Sequence, residues 1–158
     1  MRKSMLVPFA LAIALFSSAA LAIEPFETDS LRKLIASQKG KPFVLIVWSL
    51  DCEYCQASLK TLKEEKRKRK DFRIVTLATD SLDDPQAAAL VQQRLAALGM
   101  NANAWAFGGA PAEQLRYAID PRWHGEIPRS YWFNARGDKV AHSGVVTLEL
   151  IARLAAPL

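Results

Sequence analysis

Two cysteines are present in the chain, Cys52 and Cys55, and only Glu53 and Tyr54 lie between them. A disulfide between residues so close closes a very short loop and restrains little of the unfolded chain, so a purely stabilising role explains the pair poorly. The same spacing lets one sulfur attack the disulfide of a partner while the other releases the mixed disulfide that forms. The pair therefore indicates thiol–disulfide exchange.

Metal binding is the alternative chemistry for this pair. Two thiolates suit a soft ion such as copper(I), so a copper-handling chaperone is a second functional class that the sequence leaves open. A closed zinc site requires four ligands, and the two histidines of the chain, His124 and His142, show no recognisable ligand spacing. We therefore predict no metal site.

The residues around the cysteines predict a strand, a short loop and a helix. Residues 43–48, FVLIVW, form a continuous β-branched and aromatic run that is typical of a strand buried on both faces. The cysteines then lie at the predicted start of a helix whose buried face contains Leu59 and Leu62. Free N–H groups and the positive end of the helix dipole stabilise a thiolate at such a position. We expect Cys52 to be the exposed attacking thiol and Cys55, one turn inside the helix, to be the buried resolving thiol.

The other segments predict a layered α/β domain with a mixed sheet. A first helix is expected where the N-cap oxygens of residues 28–30 precede an apolar face, and a hairpin is expected across the glycine turn of residues 134–138. The predicted elements are a helix through Leu31, Leu34 and Ile35, strands over 72–78 and 104–107, a loop over 80–85 that leads into a helix ending near Gly99, a short helix over 111–117, the hairpin of 130–133 with 139–142, and a closing helix through Leu148, Leu150, Ile151 and Leu154.

A run of charge, KEEKRKRK, occupies residues 63–70 near the predicted end of the active-site helix. Cations are favourable at the negative end of a helix dipole, so a solvated helix end accounts for the run. A docking patch for an acidic partner or for anionic lipid headgroups is the functional alternative.

The N-terminal residues have the three parts of a signal peptide. Arg2 and Lys3 are followed by an apolar stretch over residues 5–16 and by Ala20-Leu21-Ala22, which fits a small-residue cleavage site. An uncleaved membrane anchor is the alternative, since residues 5–22 are at the short end of the length for a spanning helix. Pro8 within them and the small residues of the cleavage site favour removal. We predict a signal peptide over residues 1–22 and one domain over 23–158, exported to an oxidising compartment such as the periplasm.

Composition agrees with a globular domain and argues against nucleic-acid binding. Hydrophobic residues make up 51% of the chain and charged residues 23%, which is enough to fill one core and solvate its outside. The net charge of +5 falls to +3 without Arg2 and Lys3. This excess is too small to indicate a nucleic-acid partner.

A second motif, Ile127-Pro128, directly precedes the predicted hairpin. Together, the fragments VLIVWSLDCEYC and GEIPRSYWFNARGDKV resemble the thioredoxin superfamily, and the exported chain is most similar to the TlpA-like group of periplasmic thioredoxins. The resemblance implies a thioredoxin-like fold, with a central mixed β-sheet flanked by helices and an insertion between the active-site helix and the cis-proline strand.

The resemblance also implies roles for individual residues. Pro128 would be the cis-proline that faces the cysteines, and the backbone of Ile127 would pair with a cysteine-containing segment of the substrate as a short β-strand. Trp48 matches the tryptophan that ends the strand before the cysteines, where it would border the substrate or pack in the core. The implied partners are cysteine-containing exported proteins and a membrane dithiol donor, and the implied enzyme is a protein disulfide oxidoreductase or reductase. We expect it to need no cofactor, because the cysteines carry the electrons, and to be a monomer, because no third cysteine is present to form a covalent dimer. An adaptor that keeps the fold and only binds is a third functional class.

The sequence departs from thioredoxins near the cysteines. Thioredoxins have a buried acidic residue on the central strand, where this chain has Ile46, so Asp51 and Glu53 are the carboxylates available to move protons. Negative charge beside Cys52 disfavours its thiolate, which favours a reductant or a mid-potential exchanger over a strong oxidant. His124, shortly before the Ile-Pro pair, is a further possible modulator of the thiolate.

Overall fold

The structure is a computed structural model that describes residues 23–155, so the predicted signal peptide lies outside the described residues. Within residues 23–155 no helix is long and apolar enough to cross a membrane. The elements in chain order are β1 (Glu24–Phe26), α1 (Ser30–Ser37), β2 (Phe43–Trp48), α2 (Glu53–Lys68), β3 (Ile74–Ser81), α3 (Pro85–Leu98), a 3-10 turn (Asn101–Asn103), β4 (Ala104–Phe107), α4 (Ala112–Ile119), β5 (Arg129–Phe133), β6 (Lys139–Ser143) and α5 (Leu148–Leu154).

Six strands form one mixed sheet in the order β1-β4-β3-β2-β5-β6. Strands β1 to β4 pair in parallel, and β5 pairs antiparallel with both β2 and β6. Strand β2 lies inside the sheet, and all six of its residues are buried, as the sequence predicts. The predicted hairpin is confirmed by the pairing of β5 with β6.

Helices cover both faces of the sheet, so alternate residues of β2 enter two different cores. One face of β2 carries Val44, Ile46 and Trp48, which pack with residues of α2, α3 and α5. The other face carries Phe43, Leu45 and Val47, which pack with residues of α1 and α4. The helix residues in the first core include Cys55, Leu59, Leu62, Val91, Leu95, Leu150 and Ile151, and those in the second include Leu34, Leu115 and Ile119.

The structure differs from the sequence-based prediction at two strands. The sequence analysis predicts no strand at β1, because β1 has only three residues and contains Pro25. Proline is tolerated there because β1 is an edge strand that pairs only with β4. Strand β3 begins later than predicted and continues through Asp80 to Ser81, residues that were expected to form a loop. Pairing with β2 and β4 extends it: Ala78 lies opposite Trp48, and Ser81 lies opposite Phe107.

Between α2 and β5 the chain contains β3, α3, β4 and α4. Strand β4 lies between β1 and β3 in the sheet. The sequence analysis places an insertion between the active-site helix and the cis-proline strand, and this insertion stays a prediction.

Candidate active site

The two cysteines are joined by a disulfide at the start of α2. Cys52 is the N-cap residue with an extended backbone, and its Sγ accepts a hydrogen bond from the backbone N–H of Cys55 at 3.1 Å. Cys55 is completely buried among core residues, whereas Cys52 is partly exposed. Cys52 is therefore the more exposed residue of the pair, and its role as the attacking thiol stays a prediction.

This position suits the predicted role of Cys52 as the attacking thiol. An N-cap side chain receives backbone N–H groups that have no partner inside the helix, and the dipole places partial positive charge beside it. In the reduced protein the Cys55 N–H would donate to the Cys52 thiolate, which lowers the free energy of the charged form.

The loop before Cys52 is held from both sides. The backbone N–H of Leu50 donates to Oδ2 of Asp80 at 3.0 Å, and Nε2 of Gln56 donates to the carbonyl of Ser49 at 3.3 Å. Asp80 lies at the end of β3, and Gln56 lies in the first turn of α2. These two contacts fix the backbone that presents the accessible sulfur.

Asp80 was not among the predicted site residues, although it is the carboxylate that contacts this loop. Its pKa is raised by burial, and the hydrogen bond from Leu50 offsets part of that rise. The available sequence signal was an acidic residue at the end of a strand that neighbours β2, because parallel strands end at the same edge of the sheet. Placing residue 80 in a loop concealed that signal.

We expect Asp80→Asn to stabilise the protein at neutral pH and Asp80→Ala to destabilise it. An acid whose pKa is higher in the folded state costs stability as the pH rises above its unfolded value, here 3.8. Asn keeps an acceptor for the Leu50 N–H and removes the charge, whereas Ala removes the acceptor and loses about 1 kcal/mol relative to Asn. Urea unfolding from pH 3 to 7 measures both effects. The advantage of Asn should vanish below pH 3.8, and an advantage independent of pH would contradict the explanation.

The peptide bond between Ile127 and Pro128 is cis, as the resemblance implies. Pro128 is buried, and its carbonyl accepts the backbone N–H of Gly144 at 2.9 Å. Within residues 23–155 Ile127 forms no backbone–backbone hydrogen bond. Its N–H and carbonyl are thus available to pair with an extended segment from outside.

A buried ion pair supports the segment that leads to Pro128. Arg129 lies directly after the proline, and its guanidinium contacts Oδ2 of Asp120 and Oε1 of Glu126, each at 3.3 Å. Ser143 joins the group, since its Oγ donates to Glu126 and accepts from Arg129. The two ends of the 120–129 segment are therefore tied to each other and to β6.

Asp120 is the buried charge of this group, with a residue exposure of only 2%. Burial alone would raise its pKa, but the backbone N–H of Arg122 and the positive charges of Lys139 and Arg129 hold the pKa below its ordinary value. The carboxylate is therefore ionised and depends on these partners.

The comparisons with known proteins identify the fold. No protein-family model matches the chain, and no curated protein matches it significantly by sequence. Solved structures do match. A secreted thiol-disulfide isomerase from Corynebacterium glutamicum aligns over 78% of this chain and 73% of its own, with 13% identity and a TM-score of 0.60. A thiol:disulfide interchange protein of the thioredoxin family from Chlorobium tepidum aligns over 77% and 81%, with 19% identity and a TM-score of 0.58. A secreted disulfide oxidoreductase from Mycobacterium tuberculosis aligns over 77% and 85%, with 23% identity and a TM-score of 0.54.

The chain has a thioredoxin fold. This confirms the predicted α/β class with a central mixed sheet flanked by helices. Matched structures are described as thiol–disulfide oxidoreductases, and this chain has a disulfide between two cysteines three residues apart. At identities of 13 to 23%, the structural similarity establishes the fold alone, and evidence for an activity comes from the geometry of the site.

Across the described residues 23–155, no side chain of the remaining predicted site residues forms a hydrogen bond to the disulfide. Trp48 is completely buried in the core with Cys55, which gives it a packing role, and its contact with a substrate stays a prediction. Asp51, Glu53 and His124 are exposed. Their roles as proton carriers or modulators also stay predictions. Among residues 23–155 no group of three or more His, Cys, Asp or Glu side chains is arranged to hold a metal ion.

Proposed function

We propose that the protein is an exported thiol–disulfide oxidoreductase that acts on cysteines of other exported proteins through Cys52 and Cys55. One observation carries the proposal: the partly exposed Cys52 caps α2 through its sulfur and is bonded to a fully buried Cys55. A structural staple has no need of an accessible sulfur at a helix N-terminus, whereas an attacking thiol does. The solved structures of the same fold that carry this activity support it.

The reaction would proceed in two exchange steps. The Cys52 thiolate attacks one sulfur of a partner's disulfide, which forms a mixed disulfide and releases the other partner sulfur as a thiolate. Cys55 then loses its proton and attacks the Cys52 sulfur, which breaks the mixed disulfide and releases the second partner thiolate. The partner gains two electrons and two protons, and the protein is left with the Cys52–Cys55 disulfide seen in the structure. The cysteines carry the electrons, so the proposal requires no cofactor.

Substrate recognition is assigned to the backbone beside the cis-proline. The unpaired N–H and carbonyl of Ile127 would bind a partner segment by strand addition, a mode that selects extended backbone and depends little on side chains. Buried Pro128 would shape the floor of this groove.

The direction of exchange is assigned to reduction or to mid-potential exchange. Asp51 and Glu53 flank Cys52 with negative charge, which works against the highly stabilised thiolate of a strong oxidant. Repeated reduction then requires electrons from outside the domain, and a membrane dithiol donor would supply them to a monomer in the periplasm. The signal-peptide pattern of residues 1–22 supports export.

The proposal predicts that the protein reduces a disulfide-bonded model protein in the presence of a small dithiol, and that Cys52→Ser abolishes turnover. Turbidity from the separated chains of reduced insulin measures the rate. Ala57→Ser is the matched control, because it introduces a serine at an exposed position of the same helix and should leave the rate unchanged.

Other outcomes would point to the other functional classes. Tight stoichiometric copper(I) binding without turnover would support a metal chaperone and contradict the oxidoreductase. Partner capture that survives replacement of both cysteines would indicate an adaptor.

A further inference from the structure

A basic groove lies at the end of the domain away from the cysteines. It is a cavity of about 500 Å³ where β2 and β3 begin and α2 ends. Cys52 caps the other end of α2, and the helix spans 16 residues, about 24 Å at 1.5 Å per residue. The charged residues lining the groove are Lys41, Lys66, Arg69, Lys70 and Arg73, with Asp71 as the one acid among the described residues there.

Most of this positive charge has no carboxylate partner. In the described part of the chain, these five cations make one ion pair, between Arg69 and Glu65 at 3.7 Å. The ammonium of Lys66 donates to the backbone carbonyls of Lys70 and Phe72, and Nε of Arg73 donates to a side-chain amide. Neutral acceptors orient these groups but leave their charge in place.

The cations also act on one another. The pKa of Lys66 is lowered by burial and, next, by the positive charge of Arg73. Mutual repulsion of this kind is relieved when an anion binds between the groups. A solvated helix end does not explain why Lys41 and Arg73, which lie outside α2, line the same concavity as the cations at the end of that helix.

The direction of the chain indicates which anion meets this end. Strands β1 to β4 are parallel and therefore begin at the same end of the sheet as the groove. Residue 23, just before β1, follows the predicted signal peptide of residues 1–22, whose apolar stretch over residues 5–16 engages the membrane during export. The groove and the connection to that apolar segment thus share one end of the domain.

We propose that the basic groove binds phosphate groups of anionic phospholipids and docks the domain on the membrane surface, with the cysteines directed away from it. Clustered Lys and Arg near a membrane surface attract anionic headgroups, on the order of fivefold in partitioning for each cation. The active site would then be held about 24 Å from the surface, in reach of partners in the compartment. This inference concerns a different surface from the thiol–disulfide site and does not depend on it.

Vesicle partitioning of the protein expressed from the full sequence tests the proposal. The measured quantity is the ratio of binding to vesicles of phosphatidylcholine with phosphatidylglycerol over binding to phosphatidylcholine alone. Lys41→Glu with Lys70→Glu should reduce this ratio at least about 25-fold. Both side chains are exposed, so the fold should tolerate the change.

The matched control is Lys60→Glu with Arg153→Glu, which makes the same change in net charge at exposed positions outside the groove. This control variant should retain most of the wild-type preference for vesicles with phosphatidylglycerol. Added salt should weaken the binding of the wild type to these vesicles. Reductase turnover in solution should be equal in all three proteins. Cys52→Ser should bind vesicles normally, which separates this test from that of the active site.

Four results would overturn the proposal. A wild-type ratio of one would show that anionic lipid is not recognised, and an equal loss in both double variants would show a general effect of net charge. Groove-dependent binding of millimolar glycerol phosphate without any groove-dependent partitioning to anionic vesicles would indicate a soluble phosphate ligand. Groove-dependent binding to polyglutamate in place of vesicles would indicate an acidic protein.

Discussion

Cells that produce the Cys55→Ser variant are expected to accumulate mixed disulfides between Cys52 and its partners. The first exchange step uses only the sulfur of Cys52, so it proceeds in the variant. The second step requires the sulfur of Cys55, which a serine hydroxyl cannot replace. Serine is close in size to cysteine and should fit the fully buried position without disrupting the core. Non-reducing electrophoresis shows the adducts, and mass spectrometry identifies the partner cysteine linked to the peptide that contains Cys52.

The matched control for trapping is Cys52→Ser. It retains one cysteine, but that cysteine is completely buried, so partners cannot reach it and adducts should be absent. Equal adducts in both variants would contradict the assigned order of attack. A folded, exported Cys55→Ser protein without adducts would count against the catalytic function, and the partners found in a positive result would show which proteins the groove beside Ile127 accepts.

The sequence was most informative where structure is determined locally. Strand β2 was predicted because a run of apolar residues is buried on both faces wherever its partners lie, and the burial of all six residues confirms it. The start of α2 was predicted because a cysteine pair after such a strand commonly opens a helix, and Cys52 is its N-cap. Burial of Cys55, Leu59 and Leu62 follows from helical periodicity, which places all three on the face that packs on the sheet.

Features that depend on distant partners were not predictable in the same way. Asp80 contacts the active-site loop only because β3 lies beside β2, and the sequence does not state which strands are neighbours. The apolar Ile46 was correctly taken as a core residue, yet a half-buried carboxylate reaches the loop from the adjacent strand. The ion pair of Arg129 with Asp120 likewise joins two ends of a loop whose shape is set by the surrounding fold.

Arg129→Met is expected to lower the free energy of unfolding by about 3 kcal/mol at neutral pH, because it leaves the buried Asp120 carboxylate without its closest cation. Replacing both partners, as Asp120→Asn with Arg129→Met, should recover most of the loss, since no unpaired charge then remains. Urea unfolding with an unchanged m-value measures both differences in the free energy of unfolding.

The stabilisation by this pair should depend on pH. The partners of Asp120 hold its pKa below 3.8, so the stability that they add to the fold is present above that pH and is lost as the pH falls further. The cost of Arg129→Met should therefore shrink in acid.

Arg122→Met provides the matched control for the buried pair. Arg122 also lies near Asp120, with Nε 3.7 Å from Oδ1, but its side chain is 86% exposed, so removing its charge should cost little stability. Its backbone N–H, which does bond Asp120, is unaffected by the substitution. Equal costs for the two arginine variants, or no recovery in the double variant, would show that general charge and not the buried pair stabilises the segment. If the pair does hold the segment, Arg129→Met should also slow disulfide reduction while Arg122→Met does not, because Arg129 directly follows the Ile127–Pro128 bond at the proposed substrate groove.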